Sequence, residues 1–249
     1  LLTRWEGVEI AYLSRHGPGH LISPSAVPYR ANVYALKTLG VTHVLASGAT
    51  GSLREEIRPG ELVICDQVID RTHRRAGTFF DDVEFGEPFC PKLRSILIEA
   101  AAGIGVKVHE RGTYVCMEGP QFSTAAESRL HRSWGGDLIG MTCMPEAKLA
   151  REAEMSYALI GLPTDYDCWR PHEPGADRVA LLHEIMGNLA AATANGVKLL
   201  RAAVPMVAAR LEESWPYADA LKLAIWSDKS KADPEVVGRL ALLVGRYFE

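Results

Sequence analysis

The sequence predicts an α/β fold: a mixed, mainly parallel central sheet flanked by helices, with a helical C-terminal tail. Three observations predict it. Strand-like runs recur along the chain, helix-like runs lie between most of them, and nothing in the 249 residues reads as a linker, a repeat or a low-complexity stretch. That length is enough for one large domain with a substantial core, so residues 1–249 are expected to form a single domain.

In chain order, strands are expected at Val8–Leu13, Thr42–Ala46, Glu61–Ile69, Lys107–Cys116, Asp137–Met141 and Met155–Leu162. Helices are expected at Tyr29–Leu39, Lys92–Ile104, Thr124–Trp134 and Pro145–Glu154. Thr124 precedes Glu127 by three residues, the spacing of a capping box, and Pro145-Glu146 suits a first helical turn. Asp177 is the expected N-cap of a long, alanine-rich amphipathic helix, Asp177–Ala203. Two shorter helices should follow near Tyr217–Ile225 and Pro234–Tyr247. The irregular stretch Arg71–Pro91, with Phe79, Phe80, Asp81 and Asp82, reads as a surface loop that serves a binding site, a subunit contact or plain packing.

Composition excludes several classes. The chain carries 27 Lys and Arg against 31 Asp and Glu, a net charge of −4, and no basic block, so neither nucleic acid nor an anionic membrane is the expected partner. No apolar run is long enough to span a bilayer, and Leu1 opens no signal-peptide pattern. The start at Leu1 rather than Met leads us to expect further natural residues upstream. The five cysteines show no CxxC or Cys/His ligand spacing, which argues against zinc and against a disulfide framework. They fit reduced thiols of a cytoplasmic protein.

Five segments carry candidate chemistry. Asp165 and Asp167 follow the apolar run Ala158–Leu162, at the strand end where α/β proteins usually place ligands. Two carboxylates there suit an exocyclic amine and a shared ring proton. Arg15 and His16 end the first strand, and an arginine fork suits phosphate, although such a pair also occurs as plain surface. The run Ala46–Leu53 offers small residues, backbone N–H groups and hydroxyls to an anion, or is merely a tight turn. It has neither a P-loop Gly-Lys-Ser/Thr nor GxGxxG spacing. In Met117–Thr124, helix capping accounts for Thr124 but not for Phe122 or Glu118. A stacking face for a planar base and a carboxylate near a sugar account for both. In Gly140–Glu146, Met141 suits a ribose or the core, and the Thr142 hydroxyl suits a phosphate ahead of a helix.

Taken together, Arg15-His16-Gly17, Gly51–Ile57 with Pro59-Gly60, Glu118–Phe122, Met141-Thr142 with Pro145-Glu146, and Thr164–Trp169 resemble the purine nucleoside phosphorylase family from about Ala11 to about Pro205. Within it, the likeness is closest to the branch acting on 5′-methylthioadenosine. The resemblance implies a homotrimeric α/β enzyme without cofactor or metal. Such an enzyme cleaves a nucleoside with inorganic phosphate to the free base and a pentose 1-phosphate. It implies Arg15, His16, Gly48, Ala49 and Thr142 at the phosphate and Met141 under the ribose. Phe122 and Ser123 would lie at the base, and Ala176 near the 5′ pocket. Asp165 and Asp167 would be the catalytic, adenine-reading carboxylates. The 6-oxopurine branch places Asn where Asp165 stands, so a 6-aminopurine is expected. A 6-oxopurine phosphorylase and a catalytically silent nucleoside-binding relative are the alternatives.

Three departures bear on the silent alternative and on the 5′ group. The family begins with a strand and a Gly-rich phosphate loop, and this chain starts after that point. Gly48 replaces a Thr usual in the methylthioadenosine branch. Asp82 stands roughly where a neighbouring subunit usually lends a His.

Overall fold

The computed structural model describes residues 1–80, 83–170 and 177–248. A short antiparallel hairpin, β1 (Leu2–Trp5) and β2 (Val8–Ala11), leads to helix α1 (Tyr29–Thr38) and the long strand β3 (His43–Ser52). Then come β4 (Leu62–Ile64), β5 (Gln67–Arg71), α2 (Pro91–Ala101), β6 (Val108–His109), β7 (Thr113–Met117), α3 (Ala125–Ser133) and β8 (Leu138–Gly140). The remainder is α4 (Glu146–Glu152), β9 (Ser156–Tyr166), α5 (Arg178–Ala208), α6 (Pro234–Arg239) and α7 (Ala241–Val244).

Seven strands form one sheet in the order β5-β7-β8-β3-β9-β4-β6. The pairs β5–β7, β7–β8, β3–β9 and β4–β6 are parallel, whereas β8–β3 and β9–β4 are antiparallel. The expected mixed, mainly parallel sheet is therefore present. Its helices cover both faces: Val33 of α1 and Ala147, Leu149 and Ala150 of α4 belong to one core cluster, and Leu93, Ile96 and Leu97 of α2 with Ala192, Leu199 and Ala203 of α5 to another. Burial on both sides is why β9 reads as an almost unbroken apolar run from Ser156 to Leu162.

Four expected elements differ. Glu61–Ile69 is not one strand but two, β4 and β5, which lie far apart in the strand order yet are joined by only Cys65 and Asp66. Three virtual bonds reach about 11 Å at most, so the sheet must curl until its two sides meet. Lys107–Cys116 divides in the same way into β6 and β7. Ala46–Leu53 is not a turn, because β3 continues through it to Ser52, held between β9 and β8. Tyr217–Ile225 is a series of turns: Tyr217 has φ 72°, and the Leu221 N–H donates to Glu154 Oε1 at 3.1 Å instead of to a helical carbonyl. The expected caps are present, with Thr124 and Glu127 forming a capping box and the Asp177 side chain accepting from the Val179 N–H.

The Arg71–Pro91 stretch is less exposed than expected. Phe79, Phe80 and Phe85 pack against the core, and the N–H groups of Phe79 and Phe80 donate to the buried carboxylate of Glu152. Among the described residues, no helix is long and apolar enough to cross a membrane.

Candidate functional site

Backbone register aligns the candidate residues along β3. The pairing of β3 with β9 sets Gly48 beside Gly161 and, after an irregularity at Thr50/Gly51, Gly51 beside Asp165. Asp165 therefore lies inside β9, three residues beyond the expected strand end, and Asp167 just after it. On the other flank a Cβ placed on Gly48 would stand 3.4 Å from the Thr142 hydroxyl. Gly48 and Gly51 are three residues apart, which in a strand is about 10 Å.

Arg15 anchors the anion end. Its Nε and Nη2 donate to the two oxygens of Glu146 at 2.8 and 2.7 Å, and Nη1 donates to the Ser47 carbonyl at 3.0 Å. This leaves two of the five guanidinium hydrogens for another acceptor. The pair is largely buried, with side chains 17% and 8% exposed. Burial alone would depress the guanidinium, but the charge and hydrogen bonds of Glu146 outweigh it and hold the Arg15 pKa above its ordinary value. Tyr157 donates its hydroxyl to Glu146 Oε1 at 2.9 Å, so the carboxylate is fixed from a third side.

His16 Nδ1 lies 2.7 Å from the Ile22 carbonyl, and its ring stacks on His20 at 4.2 Å. A carbonyl can only accept, so Nδ1 carries the hydrogen and Nε2 is the ring's remaining polar atom. Partial burial lowers the His16 pKa, which favours the neutral ring. Ala49 is exposed and Gly48 half-buried in the same strand. The buried Tyr114 hydroxyl packs against the backbone at Gly140, two residues before Thr142. Gly140 is what admits that hydroxyl: a Cβ there would sit 2.0 Å from Tyr114 Oη.

At the base end, Asp165 Oδ1 accepts from the Thr164 hydroxyl at 2.7 Å. Asp167 is buried, and its Oδ2 has no hydrogen-bond partner among the described residues. A buried carboxylate oxygen in that state suits a donor such as an exocyclic amine. Phe122 is 82% exposed, a face available for stacking. Ser123 is half-buried, with its hydroxyl 3.8 Å from Met117 Sδ, and its carbonyl accepts from the Cys168 thiol at 3.1 Å, tying the Phe122 turn to the Asp167 segment. Met141 lies against Gly119, where a Cβ would meet Met141 Sδ at 2.5 Å. Ala176 and Asp82 lie outside the described residues.

Glu118, which read as a carboxylate for a sugar, is engaged by protein donors. Its carboxylate is buried at 7% exposure and accepts from the Ser25 hydroxyl, from the N–H groups of His73 (2.7 Å) and Arg74 (3.2 Å), and from Arg75 Nε (3.3 Å). Burial pushes its pKa up, but those donors pull it further down, to about 2. Glu118 therefore anchors the chain after β5. Two supporting residues, Glu146 and Arg75, were missed from the sequence. Glu146 read as a first-turn acid and part of the Pro145-Glu146 motif, with no partner assigned, and Arg75 lies in the stretch that read as a surface loop. Among the described residues no group of three or more His, Cys, Asp or Glu is placed to hold a metal ion.

The fold and these segments define an α/β protein in which Gly48 and Thr142 lie at one level of β3 and Asp165 at another, about 10 Å along the strand. The chain belongs to the phosphorylase superfamily, whose family model matches residues 2–205. It is 46% identical to the S-methyl-5′-thioadenosine phosphorylase of Synechocystis sp. over 97% of this chain and 75% of that protein. To the protein of the same name from Cereibacter sphaeroides it is 47% identical, over 100% and 87%. A crystal structure of methylthioadenosine phosphorylase from an antarctic soil metagenomic library superposes with a TM-score of 0.87 at 44% identity, covering 97% of this chain and 85% of that one. The methylthioadenosine phosphorylase from Schistosoma mansoni, in complex with tubercidin, gives a TM-score of 0.75 at 38% identity over 86% and 81%.

Proposed function

We propose that this chain is a pentosyltransferase of purine salvage, cleaving 5′-methylthioadenosine with inorganic phosphate to adenine and 5-methylthioribose 1-phosphate. The observation that carries the reading is the carboxylate pair at the end of β9, with Asp165 in register with Gly51 and Asp167 just beyond the strand, its buried Oδ2 without a hydrogen-bond partner among the described residues. Two acidic acceptors suit the 6-amino group and a protonated N7, whereas a 6-oxo group would oppose them.

In the proposed reaction, phosphate lies at Arg15, His16, Gly48, Ala49 and Thr142. The two remaining Arg15 hydrogens and the Thr142 hydroxyl donate to it, and neutral His16 accepts a phosphate O–H at Nε2. A phosphate oxygen forms the new bond to the anomeric carbon as the bond to N9 breaks. Positive charge develops on the sugar, facing the phosphate, as in glycoside chemistry generally. The electron pair of the broken bond goes to the purine, which takes a proton at N7 in contact with Asp165 acting as general acid, while Asp167 accepts from the 6-amino group. Met141 supports the ribose, Phe122 and Ser123 the base, and Ala176 borders the 5′ group.

We further propose one domain, a homotrimer, a cytoplasmic setting, and no cofactor or metal, with phosphate as co-substrate. The family resemblance, the net charge of −4 and the cysteine spacing support these assignments. Asp165→Asn tests the base-reading role: turnover of 5′-methylthioadenosine should fall by roughly 10²–10³, with preference shifting towards inosine. Unchanged adenine-nucleoside turnover would remove Asp165 from that role.

A further inference from the structure

Arg75 belongs to no β-strand or helix, yet its side chain is only 2% exposed. All five of its guanidinium hydrogens have acceptors. Nε donates to Glu118 Oε1, Nη1 to the carbonyls of Met141 (2.6 Å) and Met144, and Nη2 to the carbonyls of Glu118 (2.7 Å) and, at 3.4 Å, Met117. The Tyr29 hydroxyl lies a further 3.2 Å from Nη1. The carbonyls come from two segments only: the end of β7 with the turn leading to Phe122, and the Met141–Met144 segment after β8. These two backbones meet at Gly119, with φ 67°, where the Met141 thioether rests directly on the glycine. In return Glu118 accepts the N–H groups of His73 and Arg74, so the strap after β5 and the site hold each other.

We propose that Arg75 is a positioning residue for the nucleoside. It fixes the separation between the sugar-side Met141 and the base-side turn carrying Phe122, without touching substrate itself. Bidentate, planar donation to carbonyls on both segments sets a distance that a single-point ammonium cannot reproduce. Arg15 is held separately, by Glu146 and the Ser47 carbonyl, whereas Thr142 lies between Met141 and Met144 inside the clamped segment. Loss of the clamp should therefore be felt more by nucleoside than by phosphate.

The inference rests on the proposed phosphorolysis, and the test keeps the two apart. Steady-state kinetics of adenine release would be measured on the parent protein, Arg75→Lys and Tyr29→Phe, the last removing one of Arg75's partners. In Arg75→Lys the KM for 5′-methylthioadenosine should rise at least tenfold, and the KM for phosphate by no more than about threefold. Tyr29→Phe should move the nucleoside KM in the same direction by a few-fold. A purely structural role would lower the amount of active enzyme, and so apparent kcat, while leaving both KM values in place. That result, or an equal rise in both KM values, overturns the positioning role. If Arg75→Lys does not fold, an unchanged nucleoside KM in Tyr29→Phe overturns it. Absence of phosphate-dependent adenine release from the parent protein would instead overturn the proposed function.

Discussion

Arg15 is the residue whose removal has the most calculable consequence. It is locked to a buried Glu146 by two charge-assisted hydrogen bonds, and Arg15→Ala would leave that carboxylate in place with only the Tyr157 hydroxyl. Breaking a buried pair from one side costs about 3–5 kcal/mol, because an uncompensated charge stays inside. In a protein of this size each kcal/mol lowers Tm by about 2–4 °C, so a loss of roughly 6–20 °C is expected. Arg15→Met combined with Glu146→Gln removes both charges while keeping an acceptor for Tyr157, and should recover more than half of that loss. Thermal melts followed by circular dichroism give the stability arm. In the kinetic arm, both variants lack the two guanidinium hydrogens that the proposed reaction assigns to phosphate, and hydrogen bonds to charged groups are worth about 1.5–3 kcal/mol each. The KM for phosphate should accordingly rise at least tenfold, and more than that for nucleoside. A single Arg15→Ala variant melting within about 3 °C of the parent, or a double variant melting below it, would refute the buried-pair argument. Equal changes in both KM values would refute the phosphate role.

Two further outcomes follow from packing and charge. Gly140→Ala should destabilise by about 1–3 kcal/mol or more, since its Cβ would overlap the Tyr114 hydroxyl. Adding Tyr114→Phe should recover part of the loss, a favourable coupling readable in a double-mutant cycle of urea melts, and strict additivity would contradict the contact. Glu118, held down at about 2 in the fold, contributes stability that is fully present above the ordinary carboxylate pKa of about 4.5 and disappears as pH falls through about 2. The stability gap between the parent and Glu118→Gln should narrow by roughly 2 kcal/mol between pH 5 and pH 3. A constant gap would show that Glu118 is not ionised in its clamp.

Part of the site region was legible in short runs: the apolar run before Asp165 and Asp167 is β9, which continues past the expected end to Tyr166, and the Thr124–Glu127 box declared the start of α3. What escaped were relations across the chain. Glu146 and Arg15 are 131 residues apart, and nothing local to either announces the pair. Arg75 is 66 residues from Met141, inside the stretch that read as a surface loop. Apolar patterning reported that residues 61–69 are buried and extended, but not that the chain changes sides of a curled sheet at Cys65 and Asp66. The glycines and hydroxyls of residues 47–52 signalled a turn by propensity, and pairing with β9 and β8 overrode that signal.

The most direct test of the central claim is adenine release from 5′-methylthioadenosine by the protein, measured with and without added phosphate and followed by identification of the sugar product. Release that depends on phosphate and yields 5-methylthioribose 1-phosphate is the predicted result. Equal release without phosphate, yielding the free sugar, would make the protein a hydrolase and deprive Arg15, His16 and Thr142 of the anion assigned to them.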